Sequence, residues 1–155
     1  MRAAIKAEVM TIGDEILFGQ ITDTNTQWIG TELTNIGIRP VRKTSVGDNA
    51  EEILAALEEG LHRVDVLIIT GGLGPTKDDI TKHTLCQFLD TELEINESAL
   101  ALITDFFVRR GRPMTELNRQ QAALPRSCVY LQNDWGTAPG MWFERDGKVI
   151  VSLPG

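Results

Sequence analysis

The stretch "VDVLIIT", residues 64–70, is apolar at every position beyond Asp65. A strand with one solvated face alternates with period two, whereas a run that is apolar on both faces needs cover on both sides. In a single domain that means a central strand of a mainly parallel sheet lying between layers of helices. The rest of the chain supplies them. Residues 4–12, "AIKAEVMTI", read as a first strand ending at Gly13, and 13–25, "GDEILFGQITDTN", as a polar turn. Trp28, Ile29, Leu33 and Ile36 then line one face of a helix that Gly37 closes. "IRPVRKTSV", residues 38–46, reads as an edge strand, because Pro40 cannot donate to a ladder. Asp48 followed by Glu51 gives a capping signal, and Ile53, Leu54, Leu57 and Leu61 give the next helix its buried stripe. The order to this point is βαβαβ.

Beyond residue 78 the spacing predicts helices over 79–90 and 97–110, the second with Ala99, Leu102, Ile103, Phe106 and Phe107 on one side. A shorter helix over 115–124 ends at Pro125, and 128–133 reads as a strand. "GMWFE" and "KVIVSL" flank "RDG", an Asp-Gly hairpin signal. These elements amount to one domain over residues 1–155, a three-layer α/β/α sandwich with a mostly parallel sheet and a C-terminal β-hairpin. At this length a single core buries about two-thirds of the unfolded surface without disulfides.

With 15 Lys+Arg against 22 Asp+Glu the net charge is −7, which argues against a broad grip on nucleic acid or anionic lipid. No apolar run reaches membrane-spanning length, and the N-terminus does not read as a signal peptide. Cys86 and Cys128 have no paired metal-ligand spacing, so free thiols and a cytoplasmic location are expected. Cys86, among Leu85, Phe88 and Leu89, reads as packing, and neither His62 nor His83 has a neighbouring partner in sequence.

Ligands of open parallel sheets gather beyond the carboxyl ends of the strands. Three loops fall there: "TIGDE", "VGDN" and "TGGLGPTKDD", each pairing glycine with a carboxylate. Glycine amides suit a phosphate, but the acids repel one, and a divalent metal such as Mg²⁺ between them resolves the conflict. The N–H groups of residues 71–74 would then cradle phosphate, Lys77 would offset its charge, and Asp78 or Asp79 would hold the ion. The loop is neither a Walker A motif nor a G-x-G-x-x-G fingerprint. The plainer alternative makes Asp48 an N-cap and Asp78 or Asp79 a complement to a helix dipole. Arg112 and Arg119 are the candidates for a second phosphate, and Met114, Trp135 and Trp142 for walls around a base or pterin.

The motifs "GDEILFGQITDTN", "VGDN", "TGGLGPTKDDIT", "RRGRPMTELNRQQA", "GTAPGM" and "LPG", in that order, resemble the N-terminal domain of the CinA family of competence- and damage-inducible proteins. That family is a branch of the molybdopterin-binding fold shared with MoaB and MogA. The resemblance implies an α/β/α sandwich and a homo-oligomer, dimer or trimer. In MogA-like domains the pocket handles molybdopterin and its adenylylation. CinA-like domains are associated with metal-dependent hydrolysis of ADP-ribose to AMP and ribose 5-phosphate. Motif by motif, the family's acids fall on Asp48 and Asp79 and its phosphate-binding glycines on Gly71, Gly72 and Gly74, with Thr137, Gly140 and Gly155 near the substrate. Leu73 stands where molybdopterin enzymes usually carry threonine, which favours the CinA branch.

On this reading the expected reaction is hydrolysis of ADP-ribose or a related nucleoside diphosphate compound. Asp79, with Asp78 or Asp48, holds the metal, and Glu15 or Asp14 positions or deprotonates the water. The alternative expectation is a molybdopterin- or nucleotide-binding module, or adenylyl transfer to molybdopterin. CinA-like chains commonly continue beyond "LPG", often into an amidohydrolase domain. The resemblance therefore implies a partial chain without nicotinamide-mononucleotide deamidation.

Overall fold

The computed structural model describes residues 3–73 and 79–155, the side chain of Asp79 excepted. In chain order the elements are β1 (Lys6–Ile12), α1 (Asp14–Leu17), α2 (Thr24–Asn35), β2 (Arg39–Val46), α3 (Ala50–Arg63), β3 (Val66–Thr70) and α4 (Asp79–Leu89). There follow β4 (Leu93–Ile95), α5 (Glu97–Arg109), α6 (Glu116–Gln120), β5 (Ala123–Pro125), β6 (Val129–Leu131), β7 (Gly140–Arg145) and β8 (Lys148–Leu153). Six strands form one sheet in the order β2-β1-β3-β8-β7-β6. β2, β1, β3 and β8 run parallel, while β7 runs antiparallel to both β8 and β6.

Alternation along β1 explains the layering. Ala7 and Val9 join Ile29 and Leu33 of α2 on one face, with Ile68 and Val151. Met10 and Ile12 join Ile53 and Leu57 of α3, Leu85 of α4 and Ile103 of α5 on the other. Both faces are thus covered, as the central apolar run requires. Fully burying a leucine such as Leu57 contributes about 1.5–3 kcal/mol.

Local signals act largely as the sequence implies. Gly37, at φ +82, closes α2: its N–H donates to Thr34 O at 3.1 Å, and that of Ile38 to Leu33 O at 2.9 Å, a Schellman pair. Arg145 pairs with Lys148 across Asp146 and Gly147, whose φ of 52 and 74 make the two-residue turn that Asp-Gly favours. Pro40 does sit in the edge strand β2.

Four readings need correction. Trp28 and Ile36 do not line the buried face of α2, being 66% and 71% exposed; Thr26, Ile29 and Leu33, spaced i, i+3, i+7, do. The turn after Gly13 contains the short helix α1. The helix over 115–124 stops at Gln120, because Ala122, Ala123 and Leu124 are buried consecutively, which suits an extended segment rather than a helix with one inner face. Residues 123–125 pair instead with β4 as a separate two-stranded sheet. Finally, α3 is capped by Asn49, whose side chain accepts from Glu52 N at 3.1 Å, and not by Asp48.

Candidate functional site

From β1 the chain crosses to β2 on one side, then returns to β3 on the other. The carboxyl ends of β1 and β3 are therefore a topological switch point, where flanking loops diverge and leave a crevice. Gly13 follows β1 there, and its N–H donates to Val46 O at 3.0 Å, joining the ends of β1 and β2.

The first two acidic loops are clasped together. Asp14 Oδ1 accepts the backbone N–H of Asp48 at 3.0 Å, and a Cβ on Gly47 would lie 2.8 Å from that oxygen. Glycine at 47 therefore leaves the space into which the Asp14 carboxylate fits. Glu15 folds back over Gly13, its Oε1 lying 2.7 Å from where a Cβ would stand. Asp14, Glu15 and Asp48 thus share one rim of the crevice, while Asn49 caps α3.

The glycine turn forms the floor. Gly71 (φ +90) passes so near β1 that a Cβ would lie 2.4 Å from Ile12 O, and Gly155 lies against it, a Cβ there being 3.2 Å from Gly71 Cα. The Gly71 N–H donates to Leu153 O at 3.1 Å. It is committed to the β8 end, so its expected role as a phosphate donor is corrected to one of close approach. Gly72 (φ +70) abuts α4: a Cβ would lie 2.3 Å from Thr81 Oγ1. That hydroxyl is fully buried and has no hydrogen-bond partner among the described residues. Leu73 is buried in the main core. Gly74, Lys77, Asp78 and the Asp79 side chain lie outside the described residues; Asp79 is the first residue of α4.

Because β7 runs against β8, the 132–139 loop returns to this same end of the sheet. Thr137 lies in that loop, half-buried, and Asn133 braces it by donating to Ala138 O at 2.9 Å. Gly140 is buried in β7, where a Cβ would meet Leu131 Cβ at 3.0 Å, so glycine there lets β7 pack closely beside β6. Trp135 is 96% exposed at the loop's tip, and the side chains of Arg112 and Arg119 are exposed as well.

Three further polar features carry no motif-level signal. Lys82 is buried in α4, with Nζ donating to Gln121 O at 3.2 Å, and Gln121 Oε1 is buried and unpartnered. Asp23 accepts from Thr11 Oγ1 at 2.6 Å and from Thr26 Oγ1 and N at 2.5 and 3.0 Å, pinning the start of α2 to the end of β1. Burial pushes the Asp23 carboxyl up, but these hydrogen bonds and Lys43 together hold it below its ordinary value. Burial raises both thiols, Cys128 to about 11, so Cys86 and Cys128 are free, protonated packing groups as expected.

Among the described residues no group of three or more His, Cys, Asp or Glu is placed to hold a metal ion. Among those residues, too, no helix is long and apolar enough to cross a membrane.

A family profile described as "Probable molybdopterin binding domain" matches residues 8–155. A "CinA-like protein" of Cytophaga hutchinsonii is 55% identical over 155 residues, covering 100% of this chain and 37% of its own length. The chain thus spans little more than a third of that relative. The crystal structure of a protein CinA "with unknown function" from Thermoplasma acidophilum superposes with a TM-score of 0.86 at 37% identity, covering 98% of this chain and 89% of the other. MoaB from Pyrococcus furiosus, titled a tungsten cofactor synthesizing protein, gives 0.61 at 23% identity, covering 100% and 84%, a likeness of fold alone.

Proposed function

Because the chain belongs to the molybdopterin-binding domain family, in its CinA-like branch, we propose that the crevice between β1 and β3 binds a phosphate-bearing pterin or nucleotide. The observation that carries this reading is the Gly71–Gly72 turn, held against Ile12, Leu153, Gly155 and Thr81 at the switch point. Glycine at both positions lets the turn close against Ile12 O and Thr81 Oγ1, which holds its backbone at the mouth of the crevice, and α4 presents its N-terminus beyond it. The ligands expected of the family, molybdopterin and adenylated nucleotides, share such an anion.

The test is calorimetric titration of molybdopterin, AMP and ADP-ribose into the protein and into Gly72→Ala. Binding of at least one of them, weakened about tenfold or more in the variant, is the expected result, since the turn must shift to relieve the contact of the new Cβ with Thr81 Oγ1. No saturable binding of any of the three would sink the reading.

A second reading is ADP-ribose hydrolysis, favoured by the clasp that brings Asp14, Glu15 and Asp48 to the rim of the same crevice. On this reading Glu15 would accept a proton from water, while Asp14 holds the Asp48 backbone in position. A divalent ion, Mg²⁺ by its preference for oxygen ligands, would be held by Asp79 with Asp78 or Asp48 and would supply charge for the phosphoryl oxygens. Incubation with ADP-ribose and Mg²⁺, then with chelator, should release AMP only in the first case, and Asp79→Asn should abolish release. AMP formation that ignores both changes, or none under any divalent ion, eliminates this reading and leaves ligand binding intact.

A further inference from the structure

At the opposite, amino-terminal edge of the sheet, β1 and β2 fall out of simple register. Lys6 pairs with Arg39 and Ala7 with Pro40, but Glu8 pairs with Arg42, so Val41 is an extra residue. Arg39 and Arg42 are an odd number of positions apart, which in a regular strand would put them on opposite faces. The bulge returns Arg42 to the face that Arg39 shares with Lys6 and Glu8, since cross-strand partners share a face. Arg63, the last residue of α3, closes the group from above.

The result is a pocket of about 360 Å³ lined by Lys6, Arg39, Val41, Arg42 and Arg63, four cations and no acid, in a chain of net charge −7. One of the four is fixed. Arg63 donates through Nε and Nη2 to Glu8 Oε2 at 3.2 and 3.0 Å, and Glu8, wholly buried, is further held by Thr44 Oγ1 at 2.6 Å. Asp65 accepts the backbone N–H of Lys6. Among the described residues, the side chains of Lys6, Arg39 and Arg42 have no carboxylate partner. Like charges repel, and with Lys6, Arg39 and Arg42 gathered beside Arg63 without a carboxylate partner of their own, an anion between them would relieve that repulsion. Cations that merely protect an exposed strand edge need no such convergence.

We propose that this pocket is a second anion site, for a small, multiply charged phosphate-type ligand, independent of the crevice. The seven residues of β1 separate the two ends of the sheet by about 20 Å. Guanidinium forks on Arg39 and Arg42 take phosphate oxygens in pairs, with the Lys6 ammonium as a point charge and Arg63 as a preset wall. Such a site reads anion charge and carries no chemistry.

The probe is inorganic pyrophosphate, added with chelator to isotopically labelled protein while backbone amides are followed by nuclear magnetic resonance. Saturable shifts are expected at Lys6, Val41, Arg42 and Arg63, with affinity falling about tenfold or more in Arg39→Gln/Arg42→Gln. Both side chains are solvent-facing, so the double variant should melt like the parent. Amides of Gly72 and Asp48 report the crevice separately, so failure there leaves this result readable. Absence of saturable shifts at the four positions, or equal affinity in the double variant, overturns the proposal. So would a single-stranded oligonucleotide that shifts the same amides at lower concentration than pyrophosphate.

Discussion

Gly72 joins two constraints at one atom: a left-handed φ of +70 and a buried hydroxyl, Thr81 Oγ1, 2.3 Å from any Cβ placed there. Gly72→Ala should destabilise by roughly 1–3 kcal/mol in urea unfolding, part strain and part clash. Thr81→Ala alone should be close to neutral, because it removes a buried hydroxyl that has no partner. The double variant should recover the clash and keep the strain; strict additivity would show that Thr81 does not confine the turn. Asp23 gives a residue-level pH dependence. Its carboxyl is held below the ordinary 3.8, so the stability it contributes is complete above that value and disappears as pH falls through the folded-state pKa. Asp23→Asn should cost about 1 kcal/mol at neutral pH after allowance for solvent screening, and the gap between parent and variant should close on acidification below about pH 4. The residues of the glycine loop were legible because glycine and acid after a buried strand is itself a physical statement. The commitment of the Gly71 amide to Leu153, and the position of Thr81 beneath Gly72, were not, since both depend on where β8 and α4 come to rest.

Element boundaries show where local chemistry decides and where packing does. The Asp146-Gly147 turn and the Gly37 closure of α2 were legible because each dictates its own φ. The two-stranded β4–β5 sheet was not: three-residue strands carry no period, and their pairing joins segments about thirty residues apart. The start of α3 is a third kind of case. Asp48 and Asn49 are both good caps, and sequence cannot choose between neighbours; the structure chooses Asn49 and turns the Asp48 amide toward Asp14. Asn49→Ala should therefore lower stability by about 1 kcal/mol in urea unfolding, the usual cost of a lost N-cap. If Asp48 serves the crevice, its replacement should weaken ligand binding, read by the same titration. A larger loss of stability from Asp48→Ala than from Asn49→Ala would restore Asp48 as the cap.

On the scale of the molecule, one apolar run on both faces was enough to imply two helix layers, because each exposed face of a six-stranded sheet would otherwise leave its core in water. The same layering makes Glu8 anomalous, a carboxylate with no exposed surface inside the central strand pair, and nothing in "KAEVMTI" marks it as buried. Only the return of α3 over the sheet brings Arg63 to it, at 3.0 Å, with the guanidinium still a third exposed. This asymmetry fixes the expected order of losses. Arg63→Ala strands a wholly buried charge and should cost about 3–5 kcal/mol. Glu8→Gln keeps the shape and the Thr44 contact but loses the charge, and should cost less, since Arg63 can turn to water and to Glu59, 3.5 Å away. Replacing both, as Glu8→Leu/Arg63→Met, exchanges the pair for apolar volume and should recover most of the stability lost in Arg63→Ala. Urea midpoints of the three variants test the order directly. Should Arg63→Ala prove the mildest of them, water must reach Glu8 in solution, and the pair would join the sheet's edge rather than its core.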